Sequence, residues 1–549
     1  MYDYVIVGAG TAGCVLANRL TESGATRVLL LEAGPADRKL EIRVPAAFSK
    51  LFKTAIDWGY ETAPQPALAG RKLYWPRGKV LGGTSSMNAQ MHVRGNRADY
   101  DGWAALGNSG WSYDDVLPYF LKSEHNERGP SPYRGMGGPM NVSRLRDPNP
   151  ATRAFLEAAR ESGIERTDDI HGARQDGADY TQVTQVRGRR WSAADAYLRP
   201  ALRRSNLTVV TRAHATRILF DGRKAIGVAY LIAGERRTAE AAREVILASG
   251  AINSPQLLML SGVGPATQLR AHGIDVVIDL PGVGQHLQDH LASGVIVFAR
   301  QPTTLVAAES LRNLLRFLLR RRGMLTSNVG EACAFTRSSP DLDAPDLELV
   351  FAPAPFIEHG LVKPPGHGLT IGAVLLQPKS VGFVTLRSPN PLEPPNIDPQ
   401  YLSDAEGHDL RLLVTGTVLA HRVMRAPALA PFAGEPMLPD RELRTDAEVE
   451  ALVREKSESL YHPVGTCRMG TDALAVVDAE LRVRGLDSLR VIDASVMPQI
   501  IRGHTNSPTV MIAEKGADLI EGRGRKAEGR ESLVVSTLHP PPPTLGSTT

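Results

Sequence analysis

Residues 1–32 constrain this chain more than any other stretch. Tyr4-Val5-Ile6-Val7 is a short apolar run with β-branched residues that opens directly into Gly8-Ala9-Gly10-Thr11-Ala12-Gly13. An apolar segment from Cys14 to Leu20 follows at helical spacing, then Ser23-Gly24 as a stop, then a second apolar run, Val28 to Leu31, ending on Glu32. The spacing predicts a strand, a glycine turn, a helix and a parallel strand. Gly8 permits the tight turn, Gly10 lets the backbone approach a pyrophosphate, and Gly13 lets the helix pack closely on the strand. The helix N-terminus then points its free N–H groups at phosphate. Glu32 is placed to accept a ribose hydroxyl. An acidic residue there argues against a 2′-phosphate, which leaves NAD or FAD as the dinucleotide.

At 549 residues the chain exceeds one compact core, so two or more domains are expected. A net charge of +4 is small for that size and gives no reason to invoke nucleic acid. Cys14, Cys333 and Cys467 lie far apart with no CxxC pair, so neither a disulfide framework nor a zinc site is suggested, and no metal is expected. The chain begins almost at its first strand, without room for a signal peptide, and no apolar run is long enough to span a bilayer. A reducing, cytoplasmic setting is therefore expected. The end of the chain, residues 523–549, is rich in charge, Pro, Ser and Thr and reads as a disordered tail.

Further along, Gly78 to Ala89 is dense in small residues, as for a backbone held against something flat or anionic, or for a structural loop. Glu244 to Gly250 reads as another strand of the nucleotide-binding sheet, followed by a helix with Ser254 as N-cap and Pro255 at its first position. Leu311, Leu314, Leu315, Leu318 and Leu319 form one helical stripe and Arg312, Arg316 and Arg320 another. This predicts a surface helix packed on its own domain, with contact to anionic lipid as the second reading. Gly368 to Leu402 is strand-like with frequent proline, as for the sheet of a second domain. Near the end, a loop carries His462 between Tyr461 and Pro463, and Leu489 to Ser495 reads as one more strand. A helix running to Ile520 then opens with Ser507 as N-cap and Pro508 at its first position, which puts Asn506 at a positive helix end.

Together these residues resemble the glucose–methanol–choline (GMC) oxidoreductases, flavoproteins that oxidise alcohols with FAD. One family signature is present in full from Gly250 to Gly264; the other is matched by Gly78 to Asn88 and departs at His92, where an aromatic residue is usual. The resemblance runs from about Asp3 to Ile520 and is greatest to the choline and aliphatic alcohol dehydrogenase branch. It implies an α/β chain with an FAD-binding Rossmann-type domain and a second α+β substrate domain on an antiparallel sheet. Residues 1–300 would be mainly FAD-binding, 301–455 mainly substrate-binding, and 456–522 a return to the FAD domain.

Position by position, the resemblance implies that Gly8, Gly10, Gly13 and Glu32 hold the ADP half of FAD. Val80, Gly82, Asn88 and Ala89 would line flavin and pyrophosphate, Ala215 would meet the adenine, and Asp493 and Ala494 would approach the pyrophosphate. Met87 stands where some relatives attach FAD through a histidine, which implies non-covalent FAD. His462 matches the family's catalytic histidine and Asn506 its partner. Alcohol oxidation needs a base for the hydroxyl proton, a hydride acceptor and a donor to the forming alkoxide. His462 suits the first role and Asn506 the last. The implied reaction is a primary alcohol to its aldehyde with hydride transfer to flavin N5, the electrons passing to a quinone-like acceptor or to oxygen.

His504 is the next candidate in the pocket, and His92 reads as packing. Glu331 lies where choline-active relatives place a carboxylate, though alcohol-active ones carry it too. A choline dehydrogenase and an oxygen-using alcohol oxidase are the nearest alternatives. From other classes, an FAD-containing hydroxynitrile lyase and a light-driven decarboxylase remain, the latter pointing to Cys333.

Overall fold

The computed structural model describes residues 1–523. A parallel sheet runs in the order β3 (Leu207–Thr211), β2 (Val28–Glu32), β1 (Tyr2–Val7) and β4 (Glu235–Leu247). Leu489–Val491 extends it parallel to the end of β4. Val5 is flanked by Leu29 and Val245, and every residue of β2 is buried, as continuous apolar strands covered on both faces require. Helix α1 (Thr11–Leu20) covers one face and itself packs on the helix Asn506–Ile520. The first half of β4 leaves the parallel sheet and pairs with an antiparallel meander, Lys224–Ile232 and His214–Asp221.

A second sheet is wholly antiparallel. Its order is Ala433–Leu438, β5 (Leu291–Ala299), β8 (Gly368–Leu375), β7 (Leu347–Ala352), β6 (Ala332–Thr336) and Gly177–Tyr180. Strand period 2 divides its residues between two destinations. Leu349, Phe351, Leu369, Ile371 and Ala373 face a core with Phe155 and Leu156 of the helix Pro150–Glu161 and Val423 of the helix His408–Met424. Their neighbours Ala292, Gly294, Ile296, Val350, Ala352, Thr370, Gly372 and Val374 line a cavity against the first domain. Small residues on that face leave the room. Gly177–Tyr180 and β5 come from the stretch before residue 301, so this sheet is assembled from segments on both sides of that position.

Both proline-marked helices begin earlier than their N-cap signals predict. Helix α2 (Gly250–Leu260) starts at Gly250 rather than after Ser254. The N–H of Gly250 is satisfied by Asp493 Oδ2 (2.8 Å), to which Ser254 Oγ–H also donates (2.6 Å), so a carboxylate from the neighbouring strand end caps the helix. Pro255 is therefore interior and cannot bond the carbonyl of Ala251. The hydroxyl of Thr466, in the His462 loop, donates to that carbonyl instead (2.6 Å). The last helix starts at Asn506, after Thr505, with Pro508 inside its first turn, where a missing N–H costs no intrahelical bond.

Helix α3 (Leu311–Arg320) lies at the surface, as its pattern predicts. It packs on its own domain through fully buried Phe317 and an Asn313 Nδ2–H bond to Ala307 (2.9 Å), not through its leucine stripe. Leu311, Leu315, Leu318 and Leu319 are exposed. No helix among the described residues is long and apolar enough to cross a membrane. Residues past Arg523, where the tail is expected, lie outside the described residues.

Candidate active site

The cavity between the two sheets has a volume of about 970 Å³. On the parallel-sheet side it begins at the glycine turn. A Cβ on Gly8 would lie 2.7 Å from the Ala248 carbonyl oxygen, and one on Gly13 would lie 1.9 Å from that of Gly8, so both glycines are demanded by the protein's own packing. Gly10 is different. Its Cβ would meet only Ala248 O at 3.8 Å, and its open side faces the cavity, as a close-lying pyrophosphate needs. Glu32 accepts the N–H of Ala9 (2.9 Å) and Gly34 (2.8 Å); burial pushes its carboxyl up to about 7, against the pull of those two N–H groups.

The second glycine loop locks onto this turn. The N–H of Gly82 donates to Ala9 O (2.8 Å), and a Cβ on Gly83 would lie 2.7 Å from Gly10 Cα. Gly8, Gly10, Glu32, Asn88, Ala89, Ala215, Asp493 and Ala494 all line the cavity, as does Met87. Gly13, Val80 and Gly82 lie behind that wall. The Asp493 carboxylate is engaged by Gly250, Ser254 and Ser495, so only its backbone and that of Ala494 are free to face a ligand. An elongated, glycine-walled cleft ending on a carboxylate fits an adenine dinucleotide.

His462 and Asn506 line the same cavity. The histidine is held by a residue that sequence reading missed. Asp289 Oδ1 accepts the backbone N–H of His462 (2.6 Å), while Oδ2 accepts the hydroxyls of Ser459 (2.5 Å) and Tyr401. Just before it Tyr461 has φ +67, a conformation a bulky residue holds only where its surroundings enforce it.

The next residue, His290, decides how His462 is protonated. Its Nε2 lies 3.1 Å from the Leu376 carbonyl oxygen, which only accepts, so Nε2 carries the hydrogen. Burial, with His504 nearby, pushes the pKa of His290 down to about 3, so the ring is neutral and its Nδ1 is a bare acceptor. His462 Nδ1 sits 3.0 Å from that atom and is placed to donate to it. His462 is held neutral too, its pKa well below the ordinary 6.5 through burial first and then through His504, His290 and Arg77. Its Nε2 is consequently an unprotonated lone pair, with no hydrogen bond to any described residue. The signal for Asp289 and His290 was a charged, polar pair immediately before the buried strand β5.

Asn506 opens the last helix, α4 (Asn506–Ile520), and its Oδ1 accepts the hydroxyl of Thr11 (2.8 Å). In this orientation Nδ2–H₂ is the free donor. His504 lines the cavity, stands edge-on to His462 with ring centroids 4.8 Å apart, and bonds buried Glu348 through Nε2 (3.1 Å). Glu331 does not line the cavity. Its carboxylate accepts Asn149 N–H (2.7 Å), Thr152 Oγ1–H (2.6 Å) and Ser327 Oγ–H (2.6 Å), and burial raises its pKa. His92 is packed against His171, away from the cavity, and Cys333 is wholly buried in β6.

Thr466 ties this loop to α2, and a Thr466→Val change leaves the buried Ala251 carbonyl without that partner. The expected loss is about 1–3 kcal/mol of stability, measured by chemical denaturation. An unchanged midpoint would show that the bond carries no weight.

Comparison with known proteins agrees with this geometry. Residues 2–292 and 378–513 match the N-terminal and C-terminal family models described as GMC oxidoreductase. The chain is 46% identical to mitochondrial choline dehydrogenase of Homo sapiens, covering 95% of this chain and 90% of that one. It is 45% identical to an alcohol dehydrogenase [acceptor] of Pseudomonas putida, over 95% and 96% of the two chains. The crystal structure of pyridoxine 4-oxidase from Mesorbium loti superposes with a TM-score of 0.87 at 31% identity, over 97% of this chain and all of that one.

Proposed function

The chain belongs to the GMC oxidoreductase family, and within it we propose an FAD-dependent dehydrogenase that oxidises a primary alcohol to its aldehyde. The observation that carries this reading is the neutral His462 Nε2, left as a bare base in the cavity by the His290 contact. GMC oxidoreductases bind FAD. The glycine turn, Glu32 and the Asn88–Ala89 wall are the residues that would hold it, and when bound it supplies the hydride acceptor.

The protein's own part is proton handling and charge placement. His462 Nε2 takes the hydroxyl proton as the C–H bond breaks, and Asn506 Nδ2–H donates to the oxygen on which negative charge develops. The N-terminus of α4 adds its positive end to the same region. His504, bonded to Glu348, walls the pocket beside the base. Glu331 is saturated and off the cavity, so it is not placed to meet a substrate. Met87, which carries no attachable nitrogen, supports non-covalent FAD. The Pseudomonas putida relative's name supports an acceptor other than oxygen.

The test is an anaerobic spectrum of the holoenzyme with primary alcohols, aliphatic, aromatic and choline, followed by air. Bleaching by uncharged alcohols with slow return of colour is the expected result, and acid precipitation should leave a colourless pellet. Bleaching by choline alone would replace the substrate, and rapid return of colour would make the enzyme an oxidase. No bleaching by any alcohol would overturn the reading.

A further inference from the structure

Helix α3 sits on the structure in a way that its own domain does not explain. At the 3.6-residue period, Leu311, Leu315, Leu318 and Leu319 fall on an arc of about 100°, and Phe317 and Asn313 on the far side. The packed side is the one with Phe317. The leucine arc faces outward, with Leu311 72% and Leu319 80% exposed. Arg312 and Arg316 run along one edge of it, with Arg320 further round toward Asn313; Arg321 and Arg322 follow, and residues 311–323 contain no carboxylate. Of these five arginines only Arg322 is in an ion pair among the described residues, with Asp147 (2.9 Å).

The start of α3 lies near the cavity mouth. Leu361 and Val362 both line the cavity and are exposed, which puts them at its opening. Lys50 pairs with Glu309 (2.7 Å), next to the N-cap of α3, while the neighbouring Ser49 packs against Gly360, where a Cβ would lie 3.2 Å from its own. One short turn thus holds both the start of α3 and the rim of the opening.

We propose that the outer face of α3, together with Leu361 and Val362, docks on an anionic phospholipid surface and holds the cavity mouth against it. A leucine arc flanked by unpaired arginines is the pattern of a helix lying in the headgroup layer, apolar side down and cations at phosphate level. Ten residues span about 15 Å, enough to lie on a bilayer and too short to cross it. A second copy of the chain is a poor occupant, because an antiparallel two-fold pairing would bring arginine edge against arginine edge. The chain's own end, residues 524–549, offers no acidic complement: Glu528 and Glu531 are offset by Arg525, Lys526 and Arg530.

The experiment is flotation of the full-length holoenzyme with vesicles of phosphatidylcholine alone or with about a third phosphatidylglycerol. Binding is expected on the anionic vesicles only, weakening with salt. The double variant Leu315→Glu/Leu319→Glu is expected to bind at least about tenfold more weakly, with turnover of a soluble alcohol unchanged. Wild-type protein that stays unbound on anionic vesicles overturns the proposal, as does a double variant that binds equally well. Sedimentation of both proteins without vesicles completes the test. A wild-type dimer that the double variant converts to monomer assigns the face to a second copy and also overturns it.

Discussion

Replacing His462 with alanine should lower the rate of anaerobic flavin reduction by about 10²–10⁴-fold while FAD stays bound. The imidazole contributes nothing to the glycine turn or the carboxylate that grip the dinucleotide, so the yellow colour should survive. A rate within threefold of wild type would remove His462 from the chemistry. The pH dependence follows from the same site. The folded protein holds His462 well below 6.5, so the base form is present through neutral pH and is lost only as pH falls through that depressed value. The acid limb of kcat/KM should therefore lie below pH 6.5. A limb centred above 7 would mean that another group supplies the base.

Replacing His290 with phenylalanine should cost about 10–100-fold in the same rate, with the alcohol's KM and the FAD content little changed. His290 touches neither substrate nor cofactor and acts only through His462. Without its Nδ1 acceptor, nothing obliges His462 to carry its hydrogen on Nδ1, and the fraction of enzyme with a free Nε2 falls. A wrong tautomer disables a histidine base even when its position is kept. Asparagine at 290, whose side-chain oxygen accepts a hydrogen bond, should recover part of the rate. Equal rates in both variants would show that steric support, not tautomer, is what His290 provides.

Much of this site was legible in the chain, and the parts that were not share a cause. The glycine turn, Glu32 and the Asn88 loop announce themselves because each is local: turn, helix and strand follow one another within a few residues. His462 and Asn506 could be singled out because a family pattern surrounds them. Asp289, His290 and Thr11 carry no such mark. They matter only because β5 starts beside the His462 loop and the last helix starts against the first turn, contacts between residues 173 and 495 positions apart. The two helix starts were misplaced for a related reason. A Ser-Pro pair reads as a helix start when nothing else can cap, but here Asp493 arrives from another strand and caps α2 five residues earlier than Ser254 would. The stripes of α3 predicted a surface helix without saying which side of it packs, since periodicity reports that a face exists and not what it meets.

Pro255 carries a consequence for how this enzyme can be changed. By helix propensity it is the weakest residue of α2, and a stabilisation campaign would replace it with alanine early. Alanine, however, brings an N–H that lets the helix claim the Ala251 carbonyl, in competition with Thr466. A gain in helix strength would then be drawn from the anchoring of the catalytic loop. Pro255 and Thr466, 211 positions apart in the chain, therefore behave as one inherited unit. A recombinant that takes its first half from one parent and its last from another keeps this anchor of the His462 loop only if it receives both.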